Sequence, residues 1–182
     1  LENHQIPHME FPTTRASVHT LENGLTVLLD PDPQAPVIST QAWVETGSIH
    51  EGRFLGAGIS HLLEHMVFKG TERYDGQAIS DTVQAAGGEW NAYTTFDRTV
   101  YYIDGPAESV ETFLSVLTEM VFKPSFPAEE FEKEKNVIRR EIDMGMDDPD
   151  DRNGRLLYST AYSIDARSQP VIGHMDLFNQ LT

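Results

Sequence analysis

The chain has 182 residues, 39% of them hydrophobic, which is enough for one globular domain with a sizeable core. Its formal net charge of −16 argues against nucleic-acid binding, because an acidic surface repels phosphates. The charge would attract cationic peptides, although solubility alone also explains it. The chain contains no cysteine, so disulfides, thiolate metal ligands and a cysteine nucleophile are excluded.

The ends and the hydropathy of the chain bear on its location. No apolar run is long enough to cross a bilayer, and the polar first ten residues do not resemble a secretory signal. The chain starts with Leu1 instead of Met, so residues 1–10 are predicted to be tag-derived or disordered. The protein is expected to be soluble, and cytoplasmic or periplasmic if it is bacterial.

The first predicted elements are strands. Residues 16–30 form a hairpin around Asn23-Gly24, the strongest short hairpin signal. Three prolines follow in a rigid turn, and residues 37–45 are rich in β-branched and aromatic residues, which indicates a third strand.

A helix is predicted next, over residues 59–68, because Lys69-Gly70 is a typical stop signal. One of its faces is apolar and is predicted to pack into the core. That face consists of Ile59, Leu62, Leu63, Met66 and Val67.

His61, Glu64 and His65 form the most informative cluster of the chain. In a helix the two histidines lie four residues apart on one face, and Glu64 flanks that face. Two neutral imidazoles at this spacing can hold a divalent ion, usually zinc. A carboxylate beside the metal can then take a proton from water. The alternative, two polar histidines on a half-exposed helix, stays open on these residues alone.

The remaining elements alternate between helices and strands. We predict helices over residues 77–86, 106–122, 128–146 and 150–162, and strands over residues 89–94 and 99–104. The helix over residues 106–122 is expected to begin at Gly105-Pro106. This order, without an internal repeat, predicts an α+β fold with helices packed on a mainly antiparallel sheet.

A catalytic zinc ion normally has three protein ligands, so one ligand beyond the histidines is needed. Glu134 and Glu141 lie seven residues apart, on one face of the acidic helix. The intervening Val137 and Ile138 predict that this face is partly buried. A buried carboxylate needs a cation as partner, and spacing alone does not choose between a metal and a salt bridge to Lys135, Arg139 or Arg140.

A wider set of motifs resembles the M16 (pitrilysin-type) metallopeptidases, which include the mitochondrial processing peptidase and insulin-degrading enzyme and carry an inverted His-x-x-Glu-His motif. The beta-type subunits of the processing peptidase are especially similar. The resemblance covers nearly the whole chain, and its linked motifs stand in the family's order. They are residues 58–71, Gly87-Gly88, Asn91-Ala92-Tyr93-Thr94, Asp97-Arg98-Thr99, the helix with Glu134 and Glu141, Asp148-Pro149 and Pro170-x-x-Gly173.

The resemblance implies one zinc ion per domain, bound by His61, His65 and Glu141. It implies that Glu64 is the general base for a metal-activated water, and that Glu134 supports the site by orienting a ligand imidazole. The implied function is a zinc-dependent endopeptidase domain that hydrolyses peptide bonds of unfolded peptides.

The resemblance also implies a substrate-binding strand. Asn91 and Ala92 match an edge strand to which the backbone of a peptide substrate adds as an extra strand. For Asn91 the alternative is a polar cap at a strand edge.

Family members are built from two similar halves that enclose a chamber, and only the first half carries the motif. Residues 1–182 are therefore expected to be the N-terminal catalytic domain, a LuxS/MPP-like metallohydrolase half-domain truncated at its C-terminal end. The expected partners are a peptide substrate and a second M16 half-domain in cis or in trans, with a homodimer considered as well. The second half usually supplies Arg and Tyr contacts, so this chain alone is expected to hold zinc yet cleave peptides poorly or not at all.

Two other functions compete with this one. A non-catalytic peptide-binding or assembly subunit is the alternative within the family, and the intact His-x-x-Glu-His motif argues against it. A LuxS-type lyase uses a similar metal-bearing helix, but its chemistry requires a cysteine, which this chain lacks.

Overall fold

The computed structural model of the protein describes residues 15–182; residues 1–10, predicted to be tag-derived or disordered, lie outside this range. The chain forms two compact units, Leu1–Pro36 and Val37–Thr182. None of the described helices has the length and apolar character that a membrane span requires.

The described part of the first unit is the predicted hairpin. Strands β1 (Ser17–Thr20) and β2 (Thr26–Leu29) pair antiparallel. Gly24 has a φ of +86°, the left-handed conformation that the turn requires. The Asn23 side chain accepts a hydrogen bond from the amide of Leu25, so the Asn-Gly prediction is confirmed.

The second unit contains an antiparallel sheet of three strands, in the order β3–β5–β4. They are β3 (Val37–Val44), β4 (Glu89–Thr94) and β5 (Thr99–Pro106). The central strand β5 is the most apolar, and its Val100, Tyr101 and Ile103 are buried. One side of β4 has no strand partner within the described residues.

Six α-helices accompany these strands in the second unit's described residues. They are α1 (Ile59–Val67), α2 (Gly76–Ala85), α3 (Val110–Phe122), α4 (Ala128–Asp147), α5 (Pro149–Ala161) and the short α6 (Met175–Phe178). The α+β prediction, with helices on a mainly antiparallel sheet, is therefore confirmed.

Two hydrophobic cores hold α1 in place. The first core lies between the sheet and helices α2 and α3, and α1 reaches it through Val67. The second core joins α1 to α4 and α6. Its buried members are Ala57, Leu62, Met66, Ile138, Ile142, Phe178 and Leu181. Helix α1 is thus fixed against the sheet at its C-terminal end and against α4 along its length.

The predicted start of the helix at Gly105-Pro106 is wrong. Both residues belong to β5, where they pair with Ile38 and Val37, and α3 begins only at Val110. A Cβ atom at Gly105 would lie 2.6 Å from the ring of Phe113. The glycine therefore makes room for a core aromatic ring and does not end the strand.

Leu63 is the exception on the predicted apolar face of α1. Its side chain is 49% exposed, whereas Leu62, Met66 and Val67 are buried. Leu63 lies one turn before Val67, the residue through which α1 contacts the first core. Leu63 itself is not a member of that core. It borders a cavity of about 150 Å³ that Tyr101 and Phe126 also line.

Candidate metal centre

The start of α1 is fixed by close backbone packing. Its first flanking residue, Gly58, has a φ of +72°, and a Cβ atom there would lie 2.1 Å from the carbonyl oxygen of Ile172. A Cβ atom at Gly173 would come within 2.6 Å of the carbonyl carbon of Ala57. The segment around residue 173 therefore packs directly on the entry to the helix that carries the His-Glu-His cluster.

Three potential ligand side chains converge between α1 and α4. Atom Nε2 of His61 lies 3.9 Å from Oε2 of Glu141, and Nε2 of His65 lies 3.6 Å from the same oxygen. The three ligand atoms all lie within 4.8 Å of one another. The structure thus brings together the residues that the sequence resemblance paired, although α1 and α4 are separated by more than 60 positions in the chain.

The electrostatics of His61 suit a metal ligand. Burial, and then the proximity of His65, lowers the pKa of His61 to about 4. His61 is therefore neutral near pH 7, and one of its ring nitrogens carries a lone pair that can bind a cation. The Nδ1 atom of His61 is buried and has no hydrogen-bond partner within the described residues.

Glu134 contacts His65 from the side away from Glu141. Its Oε2 lies 3.0 Å from Nδ1 of His65, and its Oε1 lies 2.7 Å from Nζ of Lys69. Burial raises the pKa of Glu134, but the hydrogen bonds and charges of Lys69 and His65 outweigh it and leave that pKa below its usual value. An ionised Glu134 favours the His65 tautomer with a proton on Nδ1, which directs the Nε2 lone pair toward Glu141.

The alternative salt bridges of Glu134 and Glu141 do not form in the described part of the chain. Lys135 instead donates to the carbonyl of Leu181, at 2.6 Å, and Arg139 donates to the side chain of Asn179. Glu134 and Glu141 therefore face α1, and Lys135 and Arg139 tie α4 to the C-terminal segment.

Glu64 is held beside the three potential ligands. Its side chain is buried, and its Oε2 accepts a hydrogen bond of 2.5 Å from Oγ1 of Thr94, at the end of β4. Burial raises the pKa of Glu64; the Thr94 hydrogen bond and His65 lower it, while Glu141 raises it. A carboxyl group with a raised pKa holds a proton more readily than an ordinary glutamate, which suits a proton carrier.

The predicted substrate residues lie on β4. Asn91 is exposed and Ala92 half-buried, and both belong to the strand whose outer side has no strand partner among the described residues. The Asn91 side chain accepts a hydrogen bond from the amide of Ala92, at 2.8 Å. This contact fits the alternative of a polar cap at the strand edge.

The donor set fits zinc. Two histidine nitrogens and a carboxylate oxygen are common zinc ligands, and metal–ligand distances of about 2.0–2.2 Å place tetrahedral ligand atoms roughly 3.3–3.5 Å apart. The imidazole nitrogens lie 3.9 and 3.6 Å from Oε2 of Glu141, a few tenths of an ångström more than these values, and all three ligand atoms lie within 4.8 Å of one another.

Sequence reasoning missed three residues that shape the centre. Thr94 belongs to one of the family motifs, but the sequence assigns it no role. Lys69 is interpreted from the sequence only as part of a helix stop signal. Glu51 accepts a hydrogen bond from the amide of Ser60, at 2.9 Å. Lys69 lies four residues after His65, just past the C-terminal end of α1, and this spacing is the one local signal that points to the site.

Comparison with known proteins places these features in a family. The family model described as Insulinase (Peptidase family M16) matches residues 26–175. An uncharacterized zinc protease, YmxG, of Bacillus subtilis is 37% identical over 85% of this chain and 38% of its own length. A probable mitochondrial-processing peptidase subunit beta of Arabidopsis thaliana is 32% identical, over 89% of this chain and 30% of its own.

A solved structure shows the same fold. The crystal structure of a protease from Helicobacter pylori superposes with a TM-score of 0.87 and 28% identity, over 93% of this chain and 41% of that one. This chain thus spans about two fifths or less of the length of these relatives.

Proposed function

The chain belongs to peptidase family M16, and on this basis we propose that it is a zinc-dependent endopeptidase domain that hydrolyses unfolded peptides. The convergence of His61, His65 and Glu141 within 4.8 Å, with Glu64 beside them, carries the proposal. A zinc ion there would polarise the scissile carbonyl and make water more acidic.

The residues have distinct roles in this proposal. His61 and His65 bind the ion through Nε2, and Glu141 binds it through its carboxylate. Glu134 accepts a hydrogen bond from the Nδ1–H of His65 and so keeps the ring oriented. Its second oxygen contacts Lys69, whose positive charge offsets the negative charge of Glu134.

Glu64 moves the proton. Its Oε2 is occupied by the hydroxyl of Thr94, so Oε1 is the oxygen that takes a proton from the attacking water. The same carboxyl group then delivers this proton to the leaving nitrogen, which must be protonated to depart as an amine. The hydrogen bond from Thr94 limits rotation of the carboxylate during both transfers.

The peptide would bind along β4. An extended backbone can pair with the open side of this strand and present its scissile bond near Thr94, the end of β4 that contacts Glu64. Pairing through backbone atoms requires an extended chain, which restricts substrates to unfolded segments. In this position Asn91 and Ala92 contact the substrate directly.

A second M16 half-domain, in cis or in trans, would complete the enzyme. The relatives are more than twice as long as this chain, and strand β4 is open on one side within the described residues. We expect the chain alone to bind zinc and to cleave peptides weakly or not at all.

The Glu64→Gln variant tests the proposal. The glutamine can still accept the hydrogen bond from Thr94 but cannot carry the proton. Assembled with its second half, the variant should bind zinc with unchanged stoichiometry and lose peptidase activity by at least about 10²-fold. Retained turnover would remove Glu64 from the mechanism.

Zinc stoichiometry and peptidase activity of the wild-type protein distinguish the proposal from a non-catalytic peptide-binding subunit. A catalytic domain should bind one zinc ion per chain and lose activity reversibly on chelation. A wild-type protein that binds less than one zinc ion, and that added zinc does not reactivate, would favour the non-catalytic alternative.

A further inference from the structure

We infer that Glu51, a buried residue outside the His-Glu-His motif, is a positioning residue for the metal centre: it fixes the first turn of α1 and thereby the place of His61. The inference rests on the proposed zinc function and adds a residue to it. Glu51 lies in the loop before α1, ten positions before His61.

The first step of the argument is that α1 cannot be capped locally. A helix start leaves backbone N–H groups without partners, and a Ser, Thr, Asp or Asn side chain at the N-cap usually accepts from one of them. Here the N-cap is Gly58. Any side chain at this position would collide with the carbonyl of Ile172, which a Cβ atom would approach to 2.1 Å.

Glu51, nine residues before Ser60, supplies the missing hydrogen-bond acceptor. Its Oε1 lies 2.9 Å from the amide nitrogen of Ser60, in the first turn of α1. The carboxyl group is buried, with 8% of the residue exposed. Its other oxygen, Oε2, is buried and has no hydrogen-bond partner within the described residues. The bond to Ser60 therefore offsets only part of the cost of desolvating this carboxyl group.

The second step is that the two imidazoles are held differently. Nδ1 of His65 contacts Glu134 at 3.0 Å, so this ring is oriented directly. Nδ1 of His61 is buried and has no hydrogen-bond partner within the described residues. The other contacts of this ring are with His65 and Glu141, which are themselves proposed ligands. The place of His61 therefore depends on its backbone, whose first turn Glu51 holds at Ser60.

Glu51 thus acts on His61 through the helix start, as Glu134 acts on His65 through the ring. Groups that orient metal ligands typically change metal affinity by about 10–100-fold when they are replaced. If Glu51 only stabilised the helix, its replacement would lower thermal stability and leave zinc affinity unchanged. A positioning role predicts that zinc affinity falls as well.

The test measures zinc affinity of the purified chain by competition with a chromophoric chelator, for Glu51→Ala, Glu51→Gln and Glu51→Asp. Glu51→Ala should weaken zinc binding by about 10-fold or more. Glu51→Gln keeps an oxygen that can accept from Ser60 and should stay within about threefold of the wild type, because only the hydrogen bond is needed. Glu51→Asp is one methylene shorter, withdraws the oxygen from Ser60, and should behave more like Glu51→Ala.

Asp75→Ala is the matched control. Asp75 caps α2 by accepting from the amide of Ala78 at 2.7 Å, so its loss also weakens a helix start, but α2 carries none of the proposed ligands. This variant should lower thermal stability without changing zinc affinity. The absorption spectrum of the cobalt-substituted protein gives a second readout, which should change in Glu51→Ala and not in Asp75→Ala.

Several outcomes would overturn the inference. They are a zinc affinity of Glu51→Ala within twofold of the wild type, an equal loss in Asp75→Ala, and an affinity retained by Glu51→Asp but lost by Glu51→Gln. The last comparison decides the matter even if Glu51→Ala does not fold. If the wild type itself bound no zinc, the proposed function would fail instead, so the two failures are distinguishable.

Discussion

Nδ1 of His65 lies 3.0 Å from Oε2 of Glu134, a residue 69 positions later in the chain. This contact joins α1 to α4 at the point where both helices supply potential metal ligands. Because Glu134 also contacts Lys69, its negative charge is balanced within the site. The orientation of the His65 ring therefore depends on how α1 packs against α4.

Replacing Glu134 by glutamine should therefore weaken zinc binding. The variant keeps the shape of the side chain but loses the charge that favours a proton on Nδ1 of His65, and the expected loss of affinity is about 10–100-fold. Chelator competition measures it. Glu132→Gln, on the same helix but exposed, is the control and should bind zinc as the wild type does; equal affinities of all three proteins would contradict the role of Glu134.

Replacing Thr94 by valine should lower turnover and leave zinc affinity unchanged. Valine has nearly the shape of threonine but cannot donate to Glu64, and a hydrogen bond to a charged group contributes about 1.5–3 kcal/mol. We expect kcat to fall by roughly 10–100-fold in the assembled enzyme.

Thr82→Val is the control for this change, because the Thr82 hydroxyl donates to the carbonyl of Ala78 within α2, at 2.6 Å, and α2 carries none of the proposed ligands. Steady-state kinetics and zinc titration of both variants provide the comparison. A Thr94→Val enzyme with wild-type kcat would show that Glu64 needs no such anchor.

Truncation of Ile138 should affect both stability and the metal centre. Ile138 is completely buried in the core that joins α1 to α4, and Ile→Ala at such positions costs about 2–5 kcal/mol. Because the cavity would loosen the packing between the helices that carry His61, His65 and Glu141, zinc binding should weaken by about tenfold.

Ile79→Ala offers a matched comparison for Ile138→Ala. Ile79 is equally buried, but in the core between the sheet and helices α2 and α3. Thermal unfolding should show similar losses for the two variants, and chelator competition should show weakened zinc binding for Ile138→Ala alone. Similar zinc affinities in both would mean that the second core does not set the ligand geometry.

Backbone N-methylation of a peptide substrate tests pairing with β4. Alternate residues of an extended strand point their N–H groups toward the same neighbour, and each lost hydrogen bond costs about 0.5–1.5 kcal/mol. Methylation at alternate residues should raise KM by about 3–10-fold per site. Methylation at the intervening residues should change KM little, and equal effects at both sets would argue against strand addition.

Local sequence signals were sufficient for most elements. Asn23-Gly24 predicted the hairpin, and Lys69-Gly70 marked the end of α1, because turn and cap chemistry depends on a few neighbouring residues. The prediction of a helix start at Gly105-Pro106 was wrong because it used only such local signals. Local chemistry marks a break there, whereas the pairing with Val37 and Ile38 and the space needed by Phe113 extend the strand.

The spacing of His61, Glu64 and His65 by itself determined that one helix face carries two imidazoles and a carboxylate, since helix periodicity is a local property. The resemblance of the motifs added the family and named Glu141 and Glu134. Only the tertiary structure decided that Glu134 contacts His65 and Lys69, that Thr94 anchors Glu64, and that Glu51 caps α1. The contacts of Glu134 and Thr94 join segments far apart in sequence and depend on how α1, α4 and β4 pack, which no local pattern encodes. Glu51 and Ser60 are only nine residues apart, but their contact depends on the path of the loop between them.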